Sequence, residues 1–319
     1  MSRLMFLALL PGILIVIYIF RRDKVEKEPV PLIVRMVVLG ALSCLPAAYL
    51  ESVMARLLPS FAEGSLPAAF TVAFFSAGLI EEVCKFAFLK AGIWRNREFD
   101  YRFDGIVYGV STAIGFACLE NVLYVMDGGI SVAVTRAFLA VPLHAFCGVF
   151  MGAFFGMAKY CHVRGETSRA FALQIQGVAV AIAVHGTYDT FAMWDMQYSA
   201  FLLLGFTALV YVAGIRTINA LEKDDYMMAF YASEESYEFV PSYSTSSLKE
   251  TDGVSIAALV CAIVSALTSG VFMIPSLLAV ILGIIGIRRG ANTAAKAAVV
   301  IGGILLVGGG YFLGGTLFY

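Results

Sequence analysis

Residues 70–89 read FTVAFFSAGLIEEVCKFAFL, a run long enough to cross a lipid bilayer as one helix. Two adjacent glutamates, Glu81 and Glu82, and one lysine, Lys85, interrupt its otherwise largely apolar composition. A charged side chain at bilayer depth costs roughly 2.5–3.5 kcal/mol on insertion scales. Two neighbouring carboxylates should not both ionise there without a compensating partner. The pair therefore predicts a functional site inside a membrane helix.

The whole chain has the composition of a polytopic membrane protein. Of its 319 residues, 60% are hydrophobic and 14% are charged, and the mean hydropathy is +0.85. A soluble domain is normally about 25% charged. The net charge of -1 provides no basic field for nucleic acid, so we expect the lipid bilayer and a membrane protein as partners. The cysteines are isolated and indicate neither a disulfide framework nor a zinc finger.

Apolar runs predict an all-α transmembrane bundle with about seven core spans in a first domain, 1–219. The runs lie at roughly 4–20, 32–57, 68–91, 104–126, 137–158, 171–192 and 199–218. The polar, acidic stretch 220–253 predicts a flexible linker. Glycine-rich apolar sequence then predicts a C-terminal membrane module, 254–319, built from a helical hairpin over 254–287 and a last span at 296–317.

The lysines and arginines of the loops predict the orientation of the chain in the membrane. Loops after the first, third and fifth spans are basic, and the loops between them are not. We therefore expect the N-terminus outside and the linker 220–253 in the cytoplasm. Arg21 and Arg22 follow the first apolar run, whereas a signal peptide carries its positive charge before that run. The first run is accordingly predicted to be an uncleaved helix.

Ionisable side chains recur at depth in four of the predicted spans, and such groups normally face one another or a wet cavity. The candidate catalytic residues are Glu81, Glu82, Glu120, His144, His185 and Asp189, with Lys85 and Asn121 as supporting residues.

Helical spacing relates several of these residues. Glu81 and Lys85 are an i,i+4 pair, and so are His185 and Asp189. His144 shares a stripe with glycines at 148, 152 and 156, which predicts that it lies where another helix packs closely. Purely structural alternatives are snorkelling of the lysine, an interfacial cap at Glu120 and Asn121, a hydrogen-bonded packing role for His144 and a helix end at the aspartate.

Two chemistries fit this constellation. A glutamate could take a proton from water, while imidazole and amide groups donate to a developing oxyanion. Alternatively, His144, His185, Glu120 and Asp189 could be ligands of a zinc ion. The sequence lacks HExxH, so the spacing leaves metal-bound and metal-free water open.

The motifs resemble those of the PrsW family of intramembrane proteases, which are distant relatives of the CAAX prenyl endopeptidase and bacteriocin-immunity group. The matching segments are EEVCK at 81–85, FACLEN at 116–121, His144, and HGTYD at 185–189. The resemblance covers about residues 1–220 and implies cleavage of a membrane-associated protein, for example an anti-sigma factor, in signalling at a bacterial cytoplasmic membrane.

The resemblance also implies roles for individual residues. Glu81 or Glu82 would activate water, His144 and His185 would be metal ligands or oxyanion donors, and Asp189 would support His185. The wider CAAX group has a histidine where this chain has an acid at position 120, and an arginine one residue beyond position 85. Prenylated substrates are therefore not implied. The C-terminal module resembles a small bacterial membrane domain of unknown function.

Two other function classes compete with a protease. Buried acids and histidines also serve as relays in proton-coupled transporters, although no internal repeat is visible here. A non-catalytic scaffold or sensor would use the linker and the C-terminal module. One geometric difficulty concerns depth, since a rise of 1.5 Å per residue places Glu120, His144 and His185 about 10 Å from the outer boundary and Glu81 nearer the middle.

Overall fold

The computed structural model describes residues 2–225 and five further helical positions. Those five are Val280, Ile284, Lys296, Val299 and Val300. Within the described residues the regular structure is helical and contains no strand, so the predicted all-α class is confirmed. Apart from those five positions, the predicted hairpin, the predicted last span and residues 226–253 of the predicted linker lie outside the described residues.

Eight α-helices and one π-helix make up residues 2–225. They are α1 Ser2–Arg22, α2 Val30–Leu57, α3 Leu66–Thr71, a π-helix Val72–Gly78, α4 Leu79–Ile93, α5 Asp104–Phe138, α6 Ala140–Val163, α7 Thr167–Met193 and α8 Ser199–Lys223. Five stretches are long and apolar enough to cross a membrane, and they are Arg3–Arg22, Val30–Leu57, Asp104–Val163, Thr167–Met193 and Ser199–Lys223. The stretch 104–163 contains both α5 and α6, and the number of core spans stays a prediction.

The predicted third span is a composite of α3, the π-helix and α4. Ser65 caps its first turn, because the Ser65 hydroxyl accepts a hydrogen bond from the backbone N–H of Ala68 at 3.4 Å. The π-helix ends at Gly78, three residues before Glu81. π-helical turns are rare and occur frequently at functional sites. Here the turn lies directly against α7, which carries His185.

Glycines let α5 and α6 pack backbone to backbone. A Cβ atom added at Gly152 of α6 would lie 2.2 Å from the carbonyl oxygen of Gly105 in α5. A Cβ atom at Gly148 would lie 2.8 Å from the carbonyl oxygen of Gly109. Close helix packing through small residues is a general device of membrane proteins. The prediction that the His144 stripe faces a closely packed helix is confirmed.

A break inside α5 redirects the chain. Gly129 has a φ of 72°, outside the helical region and favourable for glycine alone. In a straight helix, Glu120 and Arg136 would be about 24 Å apart, given a rise of 1.5 Å per residue. In the structure their side chains are in contact. The segment after the break therefore folds back towards the first half of α5.

The loop between α1 and α2 buries two carboxyl groups beside the N-terminal end of α5. Glu28 accepts a hydrogen bond from the hydroxyl of Tyr108, and its backbone N–H donates to Asp23. Burial raises the pKa of Asp23 to about 6 and that of Glu28 to about 7. Lys24 and Glu222 join this loop to the end of α8 through an ion pair at 2.5 Å.

Candidate active site

The two glutamates of α4 share one buried lysine. Lys85 Nζ donates to Glu81 Oε2 at 3.0 Å and to Glu82 Oε1 at 2.8 Å. It also lies 4.0 Å from the centroid of the Phe116 ring, a distance suited to a cation–π contact. The lysine is only 1% exposed, so it pairs inside the protein and does not snorkel to the surface.

His144 links α6 to α4 and α5. Its Nδ1 lies 3.0 Å from Lys85 Nζ, and its Nε2 lies 3.0 Å from Glu120 Oε2. Because an ammonium can only donate, Nδ1 is the acceptor and Nε2 carries the proton that is donated to the carboxylate. The imidazole is thus held in one tautomer by neighbours on two other helices.

His185 of α7 completes the cluster. Its Nδ1 lies 2.8 Å from Glu82 Oε1, and its Nε2 lies 3.2 Å from Asp189 Oδ2 one helical turn away. The rings of His144 and His185 meet edge to face, with centroids 4.9 Å apart. α4 therefore meets α6 and α7 at the depth of both histidines, and the predicted difference in depth does not separate the glutamates from the other candidates.

All six candidate catalytic residues and Lys85 belong to this one contact network, which we call the polar cluster. Asn121 stands beside it in a supporting position: its Nδ2 donates to the carbonyl of Ala8 at 2.8 Å, and its Oδ1 accepts from Arg136 Nε at 2.8 Å. The donors of this amide therefore serve to fix α1 against α5.

Arg136 is a site residue that sequence reasoning missed. Its guanidinium pairs with Glu120 Oε2 at 2.7 Å and lies 4.1 Å from the centroid of the Tyr124 ring. The sequence placed it in a loop between predicted spans, away from the membrane interior. The available signal was the turn-forming segment Asp-Gly-Gly at 127–129, which marks the break that brings this arginine back.

A cavity of about 520 Å³ opens onto the polar cluster. Glu81, Glu120, His144, His185 and Asp189 line it, together with Glu51 of α2 and Arg136. The rest of its wall comes mainly from the C-terminal parts of α2 and α7, around the π-helix and the α5 break. Glu82 does not line the cavity and is 0% exposed.

Comparison with known proteins identifies the family. The family model of PrsW family intramembrane metalloproteases matches residues 28–215, which is more than half of the chain. The chain belongs to the PrsW family. The match contains every residue of the polar cluster and ends before the predicted linker, so the predicted C-terminal module lies beyond it.

Curated relatives in several bacteria support the same assignment. Protease PrsW of Bacillus subtilis (strain 168) is 32% identical over 206 residues, which are 65% of this chain and 89% of the relative. Protease PrsW of Geobacillus kaustophilus (strain HTA426) is 33% identical over 203 residues, with 64% and 85% covered. No solved structure matches the chain. The protein is therefore an intramembrane protease and an integral membrane protein.

The polar cluster of this PrsW family member fits a metal ion. Glu81, Glu82, His144 and His185 each offer one ligand atom, and these atoms all lie within 4.8 Å of one another. Nitrogen and carboxylate oxygen ligands of this kind are typical of zinc sites. Glu82 Oε2 is buried without a hydrogen-bond partner, which leaves one acceptor free for a cation.

The four side chains that lie closest together are not the four that the sequence suggested as possible ligands. Glu120 and Asp189, which the sequence suggested as possible ligands, contact the Nε2 atoms of His144 and His185. A carboxylate behind a metal-binding imidazole fixes its tautomer and orientation. The sequence could not separate the two kinds of carboxylate, because the distinction depends on which ring nitrogen faces α4.

Proposed function

We propose that this protease hydrolyses a peptide bond of a membrane-anchored protein in the cavity, with Glu81 as the base that activates water. The observation that carries this assignment is the unequal exposure of the two glutamates. Glu81 lines the cavity, whereas Glu82 is fully buried and held by Lys85 and His185. A general base must reach the water from which it takes a proton, and of the two glutamates of α4 only Glu81 lines the cavity.

The other residues of the polar cluster position this reaction. Lys85 keeps both glutamates and His144 in place through three contacts of 2.8 to 3.0 Å. His144 and His185 would hold a metal ion, for which zinc is the best fit. A zinc ion held there would supply Lewis-acid chemistry at the scissile carbonyl. Glu120 and Asp189 orient the two imidazoles.

We propose further that the N-terminus lies outside a bacterial cytoplasmic membrane and that 220–253 is a cytoplasmic linker to the module 254–319. The basic loops then lie inside, in agreement with the positive-inside rule. The cavity is lined by the C-terminal parts of α2 and α7, at the opposite end from those loops. Cleavage would occur near the outer surface, where a signalling protein such as a membrane-anchored anti-sigma factor could be cut.

Proteolysis by the purified full-length protein tests the catalytic assignment. Single-span membrane proteins of the native host are incubated with the protease in liposomes, and mass spectrometry detects new termini. We expect Glu81→Gln and His185→Ala to abolish cleavage. Glu51→Gln is the matched control, because Glu51 lines the same cavity but forms no hydrogen bond or ion pair with a residue of the polar cluster.

Metal content measured on the same samples separates the two forms of the mechanism. Zinc at one ion per chain, lost in His185→Ala, would support a metal-dependent reaction. Full cleavage by Glu81→Gln would contradict the role proposed for Glu81. If Glu51→Gln abolished cleavage as completely as Glu81→Gln, the assignment would be contradicted, because any acid of the cavity would then be required.

A further inference from the structure

A second pocket lies at the other end of the bundle, where α4 and α6 reach the basic loops. Its volume is about 810 Å³. It is lined by Ala87, Lys90, Ala91, Trp94, Arg95, Lys159 and His162. None of these residues belongs to the polar cluster, and the proposed proteolysis leaves the pocket without a role.

The pocket carries a concentrated positive charge. Lys90, Arg95 and Lys159 are basic side chains, and within residues 2–225 no salt bridge involves any of them. Asp100 is an acid whose charge acts on Lys159. Glu166, on the loop that follows α6, is paired with two arginines outside the pocket. Positive charge therefore exceeds negative charge at this site.

Trp94 organises the cations around one aromatic surface. Lys159 Nζ donates to the Trp94 carbonyl at 2.6 Å and lies 5.6 Å from the centroid of the ring. Lys90 Nζ lies 5.8 Å from the centroid of the same ring. A tryptophan with neighbouring lysines is typical of the level at which lipid headgroups meet hydrocarbon.

An exposed apolar stripe leads along α4 into this pocket. It consists of Leu79, Val83, Ala87 and Ala91, each separated from the next by one helical turn. Leu79 and Val83 are 36% and 45% exposed. The two alanines at the C-terminal end of the stripe have small side chains and leave the space that the pocket occupies. The stripe spans about 18 Å at a rise of 1.5 Å per residue.

We propose that the pocket binds the phosphate group of an anionic glycerophospholipid, whose acyl chain lies along the stripe of α4. Basic pockets between transmembrane helices recognise such headgroups through charge and hydrogen bonds. A soluble phosphate compound has the same headgroup chemistry, but it would not use the apolar stripe. The bound lipid contacts the outward face of the helix whose inward face carries Glu81, Glu82 and Lys85. This inference does not depend on the catalytic proposal.

Lipid titration of the purified full-length protein, followed by native mass spectrometry, tests the proposal. The probes are phosphatidylglycerol, phosphatidylcholine and inorganic phosphate, each added to protein in neutral detergent. We expect phosphatidylglycerol to bind in preference to phosphatidylcholine. Lys90→Gln and Arg95→Gln should each weaken its binding about fivefold, which corresponds to about 1 kcal/mol per basic group. Ala91→Trp should prevent binding by filling the pocket without changing its charge.

Arg97→Gln is the matched control, because Arg97 is an exposed cation of the same loop that does not line the pocket. It should leave phosphatidylglycerol binding unchanged. An equal effect of Arg97→Gln and Arg95→Gln would overturn the proposal in favour of diffuse attraction to the basic surface. Equal binding of phosphatidylglycerol and phosphatidylcholine would also overturn it. So would displacement of phosphatidylglycerol by inorganic phosphate from the wild-type protein but not from Arg95→Gln, because the pocket would then be a site for a soluble phosphate compound. Arg95 is exposed, so Arg95→Gln should keep the thermal stability of the wild-type protein. This is checked by thermal unfolding in the presence of phosphatidylcholine.

Discussion

Replacement of Lys85 by methionine should destabilise the metal-free protein strongly. Methionine has a similar length and can fill the same space, but it removes the ammonium group. The two nearest carboxylates, of Glu81 and Glu82, then lose their shared partner, and His144 Nδ1 loses its donor. All four residues are buried, so water cannot replace these contacts at low cost.

The size of the effect follows from the distances. A unit pair at 3.0 Å, the Lys85–Glu81 separation, interacts by about 5.5 kcal/mol at an effective dielectric constant of about 20. Removal of one partner from a buried ion pair costs about 3–5 kcal/mol in practice. We therefore expect Lys85→Met to lower the free energy of unfolding by about 3–5 kcal/mol in the presence of a chelator. The loss should shrink when zinc is added, because a divalent cation would offset the same carboxylates.

Reversible unfolding in mixed micelles, with sodium dodecyl sulfate as the denaturant and circular dichroism as the readout, measures this difference. Lys90→Met is the matched control: it makes the same substitution on the same helix, at a lysine without a salt bridge among residues 2–225. A destabilisation of Lys85→Met no larger than that of Lys90→Met would refute the reasoning. A loss that zinc does not reduce would refute the part that concerns the metal ion.

Three further changes test other parts of the structure. Asp189→Asn removes the carboxylate 3.2 Å from His185 Nε2, so zinc affinity measured by competition with a chelating dye should fall about 10–100-fold; an unchanged affinity would exclude an orienting role. Burial raises the pKa of Glu28 from 4.5 to about 7, so its contribution to stability is complete below pH 4.5 and is lost as the pH rises through about 7. Glu28→Gln should therefore flatten the measured pH dependence of the free energy of unfolding across that window. An unaltered pH profile would contradict this. Gly152→Ala places a methyl group 2.2 Å from a carbonyl oxygen of α5 and should cost about 1–3 kcal/mol in the same unfolding assay, whereas Gly205→Ala, which meets nothing within 4 Å, should not destabilise.

The sequence predicted the parts of the site that depend on local helical geometry. Glu81 with Lys85, and His185 with Asp189, are in contact because each pair is one turn apart on a continuous helix. The close packing of α6 beside His144 followed in the same way from its glycine stripe. These relations need only the helical period, which apolar membrane segments make easy to assign.

The parts that the sequence could not predict depend on contacts between helices and on breaks in them. Arg136 reaches Glu120 because Gly129 interrupts α5. No periodic pattern in the sequence predicts the direction of the chain after such a break. Lys85 contacts His144, 59 residues away, through the packing of α4 against α6. The division of the carboxylates into possible ligands and orienting groups depends on the same packing.

The pairing of Glu81 and Glu82 with Lys85 on one helix also has a consequence for how the protein is made. Membrane helices leave the ribosome in order, and Lys85 precedes His144 by 59 residues, while Glu82 precedes His185 by 103. When α4 enters the translocon, the histidines that later surround its glutamates have not yet been synthesised. Lys85 travels on the same helix and can pair with Glu81 and Glu82 at once, which lowers the cost of placing isolated charges in lipid. The lysine would thus serve biogenesis before any active site exists.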